Sequence, residues 1–195
     1  MNWLRMAVVA AACVTLGACA YDTTPDPVLS SRDAEFMALI PKATPDKFYS
    51  RYMVDNPTGE PAGTIVVETK QRLLYFTMPD GKAMRYGVAL GRDGYGWTGE
   101  AVVHHKAEWP DWNPPADMMA RWPQVRPTKG GWTNPLGARA LYLYQDGKDT
   151  MFRIHGTNEP EKIGRGVSSG CIRMLNIDVI DLYNRVPAGT RVIVR

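Results

Sequence analysis

The sequence predicts one mainly-β domain over residues 60–195, carrying one well-marked helix and preceded by a leader and a proline-rich arm. Three observations predict it. From Gly63 onward, β-branched and aromatic residues come in short runs separated by turn signals such as Pro79-Asp80-Gly81 and Asp146-Gly147. The chain holds 18 glycines and 15 prolines, about 17% against a usual share of roughly 12%, which favours many turns and short strands. Within that domain, Asn176 to Arg185 is the stretch with helical spacing and both a start and a stop signal.

Taken in order, residues 1–18 read as a secretory leader. Arg5 supplies a positive charge, and Met6 to Ala18 is an apolar run too short to cross a bilayer as a helix. Two cuts are open. Leu16-Gly17-Ala18-Cys19 resembles a bacterial lipobox, which would make Cys19 a lipidated first residue, and Ala18-Cys19-Ala20 also fits an A-x-A site. Lipidation places the chain on a periplasmic membrane face, and Ala20 after the cysteine points to the outer membrane in a Gram-negative host. Incorporation of labelled palmitate, lost in Cys19→Ala, is the expected result; an unlabelled soluble form would favour cleavage after Ala20.

Residues 19–59 read as a tether, with Pro25, Pro27, Pro41, Pro45 and Pro57 among scattered charges and a short helix around Asp33 to Ile40. Strands follow at Thr64 to Thr69, Arg72 to Thr77, Ala83 to Leu90, Ala101 to Ala107, Ala140 to Tyr144, Thr150 to His155 and Thr190 to Val194. Asn176 is the expected N-cap of the helix, with Ile177, Ile180 and Tyr183 on its apolar stripe and Pro187-Ala188-Gly189 as its stop. Between Glu108 and Trp132 stand four tryptophans and five prolines, which excludes a regular strand. That stretch reads as a loop pinned by indoles, as a lid over a groove, or as both.

A net charge of +3, with no long single-sign run, gives no clustered basic footprint for nucleic acid. Of three cysteines, Cys13 lies in the leader and Cys19 at its end, so Cys171 is the one thiol of the folded body. Such a thiol is either buried and inert or kept for its reactivity. Alternation along Met151 to His155 puts Phe152 and Ile154 on one face and Met151, Arg153 and His155 on the other, so His155 points away from the apolar face. At neutral pH an ordinary cysteine is only about 3% thiolate, and a neighbouring histidine supplies the missing activation as a base or as an ion-pair partner. Gly170 clears the approach to Cys171, and the main-chain N–H groups of Gly170 and Cys171 could cradle an oxyanion. This is the anatomy of acyl transfer. His104 and His105, adjacent on a strand, should face opposite sides and so not chelate one metal; no metal or cofactor is expected.

His155-Gly156, a loop, then Ser168-x-Gly170-Cys171-x-Arg173 resembles the signature of the YkuD-type L,D-transpeptidases, and the likeness runs from Gly63 to Thr190. The resemblance implies two packed mixed sheets with a helix after the nucleophile, and a reaction on peptidoglycan tetrapeptide stems through a cysteine thioester. It implies Cys171 as nucleophile, His155 as base, and the Gly156 carbonyl as the group that orients the imidazole. Carbapenems are implied as acyl donors. Ser168 matches the motif's Ser/Thr, Arg173 matches one branch of the family, and Ser169 stands where another branch has histidine. Arg173, and Arg153 by its shared face with His155, are candidate clamps for a substrate carboxylate. The acceptor stays open: another stem, giving a 3-3 cross-link; an envelope protein; or water, giving a carboxypeptidase or hydrolase. A non-catalytic peptidoglycan-binding lipoprotein is the alternative from another class.

Overall fold

The computed structural model describes residues 22–91, 96–168 and 170–195; the leader and Cys19 lie outside them. In chain order these residues form α1 (Ser31–Leu39), β1 (Tyr52–Asp55), β2 (Ile65–Glu68), β3 (Leu73–Thr77), β4 (Lys82–Gly91), β5 (Gly99–Glu108), α2 (Ala116–Arg121), β6 (Arg139–Gln145), β7 (Lys148–His155), β8 (Gly166–Ser168), β9 (Ile172–Met174), α3 (Asn176–Arg185) and β10 (Arg191–Val194). The two Asp-Gly turns have φ of 59° and 66° at residues 80 and 81, and 50° and 74° at residues 146 and 147. Such left-handed pairs are what tight two-residue hairpins demand, so both turns end on glycine.

Strand order is β4-β3-β2-β10-β5-β6-β7-β9, and β9 pairs back onto β4 through Val88↔Met174 and Ala89↔Arg173. The fold is thus mainly β, with mixed layers that share edges and a helix after Cys171. Parallel pairs are β2–β10, β7–β9 and β4–β8. Inside, Ile65, Leu74, Met84, Leu141, Leu143, Ile154, Leu182 and Val192 are fully buried. Burying each such side chain contributes about 1.5–3 kcal/mol.

From Asp22 on, the segment expected as a tether is docked instead. Ser30 caps α1 in a capping box with Asp33, and Asp33 turns inward, 1% exposed. Both its oxygens accept from Arg139, at 2.8 Å each, and Trp109 Nε1 donates to it at 2.8 Å. Burial alone would raise the Asp33 carboxyl, but hydrogen bonds from Arg139, Trp109 and Ser30 hold it well below the usual carboxylate range. Further along, β1 pairs with β4 (Tyr52↔Arg85 to Asp55↔Lys82), and Arg51 reaches Asp178 at 3.3 Å and Asp26 at 2.7 Å. Removing one partner of a buried ion pair leaves the other uncompensated, so Asp33→Ala should cost about 3–5 kcal/mol in denaturant unfolding. Asp33→Ala combined with Arg139→Met should recover much of it. A loss within experimental error in the single variant would mean that α1 docks by its apolar residues alone.

The buried face of α3 is rotated from the expected stripe: Val179, Ile180 and Leu182 are buried, with Asp178 and Asp181 beside them. The two carboxylates are tolerated because Arg51 meets Asp178, while Tyr86 Oη and Arg185 donate to Asp181. Leu175 occupies the N-cap position without a side-chain cap, and the Asn176 side chain, expected as that cap, points into the fold instead.

Candidate active site

The parallel pairing of β7 and β9 assembles the candidate site. Ile154 lies opposite Ile172, and His155 opposite Arg173. Residues in register share a face, so His155 and Arg173 stand together, and Cys171, two residues before Arg173, comes beside Arg153 on the cavity that His155 also lines. Ile154 packs into the core while His155, only 4% exposed, lines a cavity rather than facing solvent. Met151 lines the cavity with Arg153 and His155 as alternation predicts, but Phe152 lines it as well, because the strand is irregular at Met151. That residue adopts φ 62° where the β6–β7 register shifts.

His155 Nδ1 lies 2.6 Å from the Gly156 carbonyl oxygen. A carbonyl only accepts, so Nδ1 carries the proton and Nε2 is left as the acceptor. Burial, aided by the charges of Arg173 and Arg153, lowers the imidazole pKa to about 3, against the opposing bond to Gly156. Burial pushes the half-buried Cys171 thiol up, with the Arg153 main-chain N–H and the charges of Arg153 and Arg173 pulling it down. Near neutral pH Cys171 is therefore a thiol and His155 a neutral imidazole on the same cavity, which suits base-assisted attack better than a standing thiolate. Cys171 Sγ lies 3.9 Å from the Met151 carbonyl oxygen. Gly170 is at φ 124°, a conformation that disfavours any side chain before the cysteine.

A cavity of about 780 Å³ contains His155, Cys171, Arg153 and Arg173, and its far wall is the tryptophan- and proline-rich stretch, through Trp112, Met118 and Trp122. The stretch carries the short helix α2, and of its four indoles Trp109 is the buried one. It lies edge-on to Phe36 at 5.0 Å, but the stronger pin is Asn134. Its Nδ2 donates to the carbonyls of Pro110, Thr128 and Lys129, and its Oδ1 accepts from Leu136 N–H. Tyr142 also lines the cavity; it was legible as the outward position between Leu141 and Leu143.

The two candidate clamps differ. Arg153 is held by both oxygens of Asp149, at 2.6 and 2.8 Å, over the face of Tyr142. Arg173 donates to Glu159 at 3.1 Å, and Glu159 is shared with Lys162. Its buried Nε has no hydrogen-bond partner among the described residues. Ser168 lies in β8, its side chain outside the description, as is Ser169. The expectation that His104 and His105 face opposite sides is overturned. A register shift between Val103 and His105 turns both rings to one face, with Nδ1 atoms 3.0 Å apart, each stacked 4.1 Å from Tyr144 or Tyr142.

The family model of the L,D-transpeptidase (YkuD) catalytic domain matches residues 62–194. A probable L,D-transpeptidase of Escherichia coli K12, YbiS, is 33% identical over 141 residues, which cover 67% of this chain and 43% of that protein. The chain spans less than half the length of the curated relatives it matches. A solved structure from Brucella melitensis, named as a probable carnitine operon oxidoreductase, is 43% identical with a TM-score of 0.52, covering 74% of this chain and 96% of that one. L,D-transpeptidase 3 of Mycobacterium tuberculosis has a TM-score of 0.52 at 19% identity, over 68% of this chain and 60% of its own, and has also been solved with a faropenem-derived adduct. At that identity the likeness is one of fold.

Proposed function

Because the chain belongs to the L,D-transpeptidase family, we propose that it is a peptidoglycan L,D-transpeptidase working through a Cys171 thioester. The observation that carries this is the His155 Nδ1–Gly156 carbonyl bond at 2.6 Å, which leaves Nε2 as a base in the cavity that holds Cys171. In the first step the Cys171 S–H proton passes to Nε2 and sulfur bonds to the carbonyl carbon at the L-centre of diaminopimelate. Terminal D-alanine leaves as its C–N bond breaks, taking the proton from His155. In the second step an acceptor amine gives a proton to His155 and bonds to the same carbon, and as the C–S bond breaks the Cys171 sulfur takes that proton back from His155. Main-chain N–H groups of Gly170 and Cys171 are the proposed donors to the oxyanion formed in each step. The lipid anchor at Cys19 would keep this chemistry in the envelope.

The test is mass spectrometry of muropeptides after incubating the purified chain with tetrapeptide-rich sacculi. Dimers linked 3-3 support a stem as acceptor, tripeptides alone support water, and unchanged sacculi would overturn the reading. Arg173 is the proposed clamp for a donor carboxylate, since Asp149 holds Arg153 with both oxygens whereas Arg173 makes one bond to a Glu159 shared with Lys162. A charge-assisted bond of about 1.5–3 kcal/mol corresponds to a loss of roughly 10- to 150-fold in kcat/KM for Arg173→Ala. The melting temperature should stay nearly unchanged, because Glu159 keeps Lys162. A large fall in melting temperature with normal turnover would make Arg173 a structural partner of Glu159.

A further inference from the structure

The peptide unit joining Gly156 to Thr157 is one rigid plane held at both ends. Its carbonyl accepts from His155 Nδ1 at 2.6 Å, and its N–H, carried by Thr157, donates to Asn176 Oδ1 at 3.1 Å. In a trans peptide these two groups point in opposite directions. Whatever fixes the N–H therefore aims the carbonyl.

Asn176 is well placed to do this. It is 7% exposed, and its Oδ1 also accepts from Ala138 N–H at 2.9 Å while its Nδ2 donates to the Thr157 carbonyl at 2.8 Å. The amide cannot turn over without setting its donor against two N–H groups and its acceptor against a carbonyl. The surrounding backbone leaves room for this group alone: a Cβ on Gly156 would lie 2.1 Å from Asn176 Oδ1, and one on Gly137, at φ 63°, would lie 2.2 Å from it. Asn176 also opens α3 directly after β9, so one side chain ties the strand that follows Cys171 to the turn that follows His155.

We propose that Asn176 is a positioning residue for His155, a role that rests on reading His155 as the base. By locking the Gly156–Thr157 plane it keeps the proton on Nδ1 and the lone pair on Nε2. When the plane can rock, the Nε2–H tautomer becomes populated, and that tautomer cannot take a proton from the thiol.

The experiment compares wild type, Asn176→Ala and Asn176→Asp in the full chain. Readouts are the rate of carbapenem acylation against drug concentration and the nitrogen spectrum of ¹⁵N-histidine-labelled protein. The His155 signal is identified by its loss in His155→Gln. Wild type should show one Nδ1–H tautomer. Asn176→Ala should show a mixture and a maximal acylation rate lower by ~10- to 100-fold, the scale of a small misplacement of a reacting group, with half-saturating drug concentration unchanged. Asn176→Asp, which keeps an acceptor for both N–H groups, should restore most of the single tautomer. If Asn176→Ala does not fold, Asn176→Ser is read in the same way. A folded variant with a lowered melting temperature but wild-type tautomer and rate would make Asn176 a structural tie only. If wild type itself takes no Cys171 adduct, the reading of His155 as base fails, while the tautomer comparison still decides whether Asn176 holds the imidazole.

Discussion

Cys171→Ala is expected to abolish the covalent mass that a carbapenem adds to the wild-type chain. A form beginning at Asp22 keeps Cys171 as its only cysteine, so intact-mass spectrometry should find one adduct in wild type and none in the variant. Transpeptidation should fall by roughly 10⁴-fold or more, as when the nucleophile of an acyl-transfer unit is removed. The half-buried thiol lies outside the hydrophobic core, so alanine should replace it with little change in melting temperature. An adduct that persists in Cys171→Ala would end the thioester mechanism for this chain.

His155 should give the next largest effect. General-base contributions are typically ~10²–10⁴-fold, so His155→Gln, close in volume to the original, should slow acylation by that range. His104→Ala and His105→Ala should cost far less, because neither ring lines the cavity: His104 stacks on Tyr144, and His105 touches the cavity only through Tyr142. The pH profile is a second check. Burial and the Arg173 charge hold the imidazole down at about 3. The base is already neutral above that value, so falling pH does not disable it across about pH 5 to 8, the range in which an ordinary histidine would titrate. An acid limb in kcat/KM near the ordinary histidine value, absent in His155→Gln, would show instead that His155 sits in a wetter setting. Equal effects at all three histidines would remove the catalytic reading.

Alternation and turn chemistry made β2 to β7 readable, because each pattern is local and the Asp-Gly turns require a left-handed backbone that few other residues adopt. The proposed base and nucleophile stood out for a related reason, since His155-Gly156 and Gly170-Cys171 are local patterns, whereas the short strand β9 after Cys171 carries no such signal. What stayed hidden depends on partners far along the chain. Asp33 looks like an ordinary first-turn acid until Arg139, 106 positions away, meets it. Asn176 looks like a cap until the glycines at 137 and 156 make room for its amide. The pairing of His104 with His105 turns on a one-residue register shift in β5, which period-two reasoning cannot foresee. The face of α3 was misjudged because Asp178 and Asp181 count as polar, although Arg51 and Tyr86 make their burial tolerable.

Met53 N–H donates to the Asp22 carbonyl at 3.0 Å, and Arg51 holds Thr24, Pro25 and Asp26. The chain is therefore fastened to the body from its first described residue. Three residue steps separate Asp22 from Cys19, a leash of about 11 Å at full stretch. That is shorter than the radius of gyration of a body of this size, roughly 16 Å. A lipid on Cys19 would thus moor the domain against the bilayer rather than let it swing on a long cord. Under the proposed function, stem peptides would then be met within about one domain's height of the membrane. Lengthening the chain between residues 20 and 22 would be the way to release the domain.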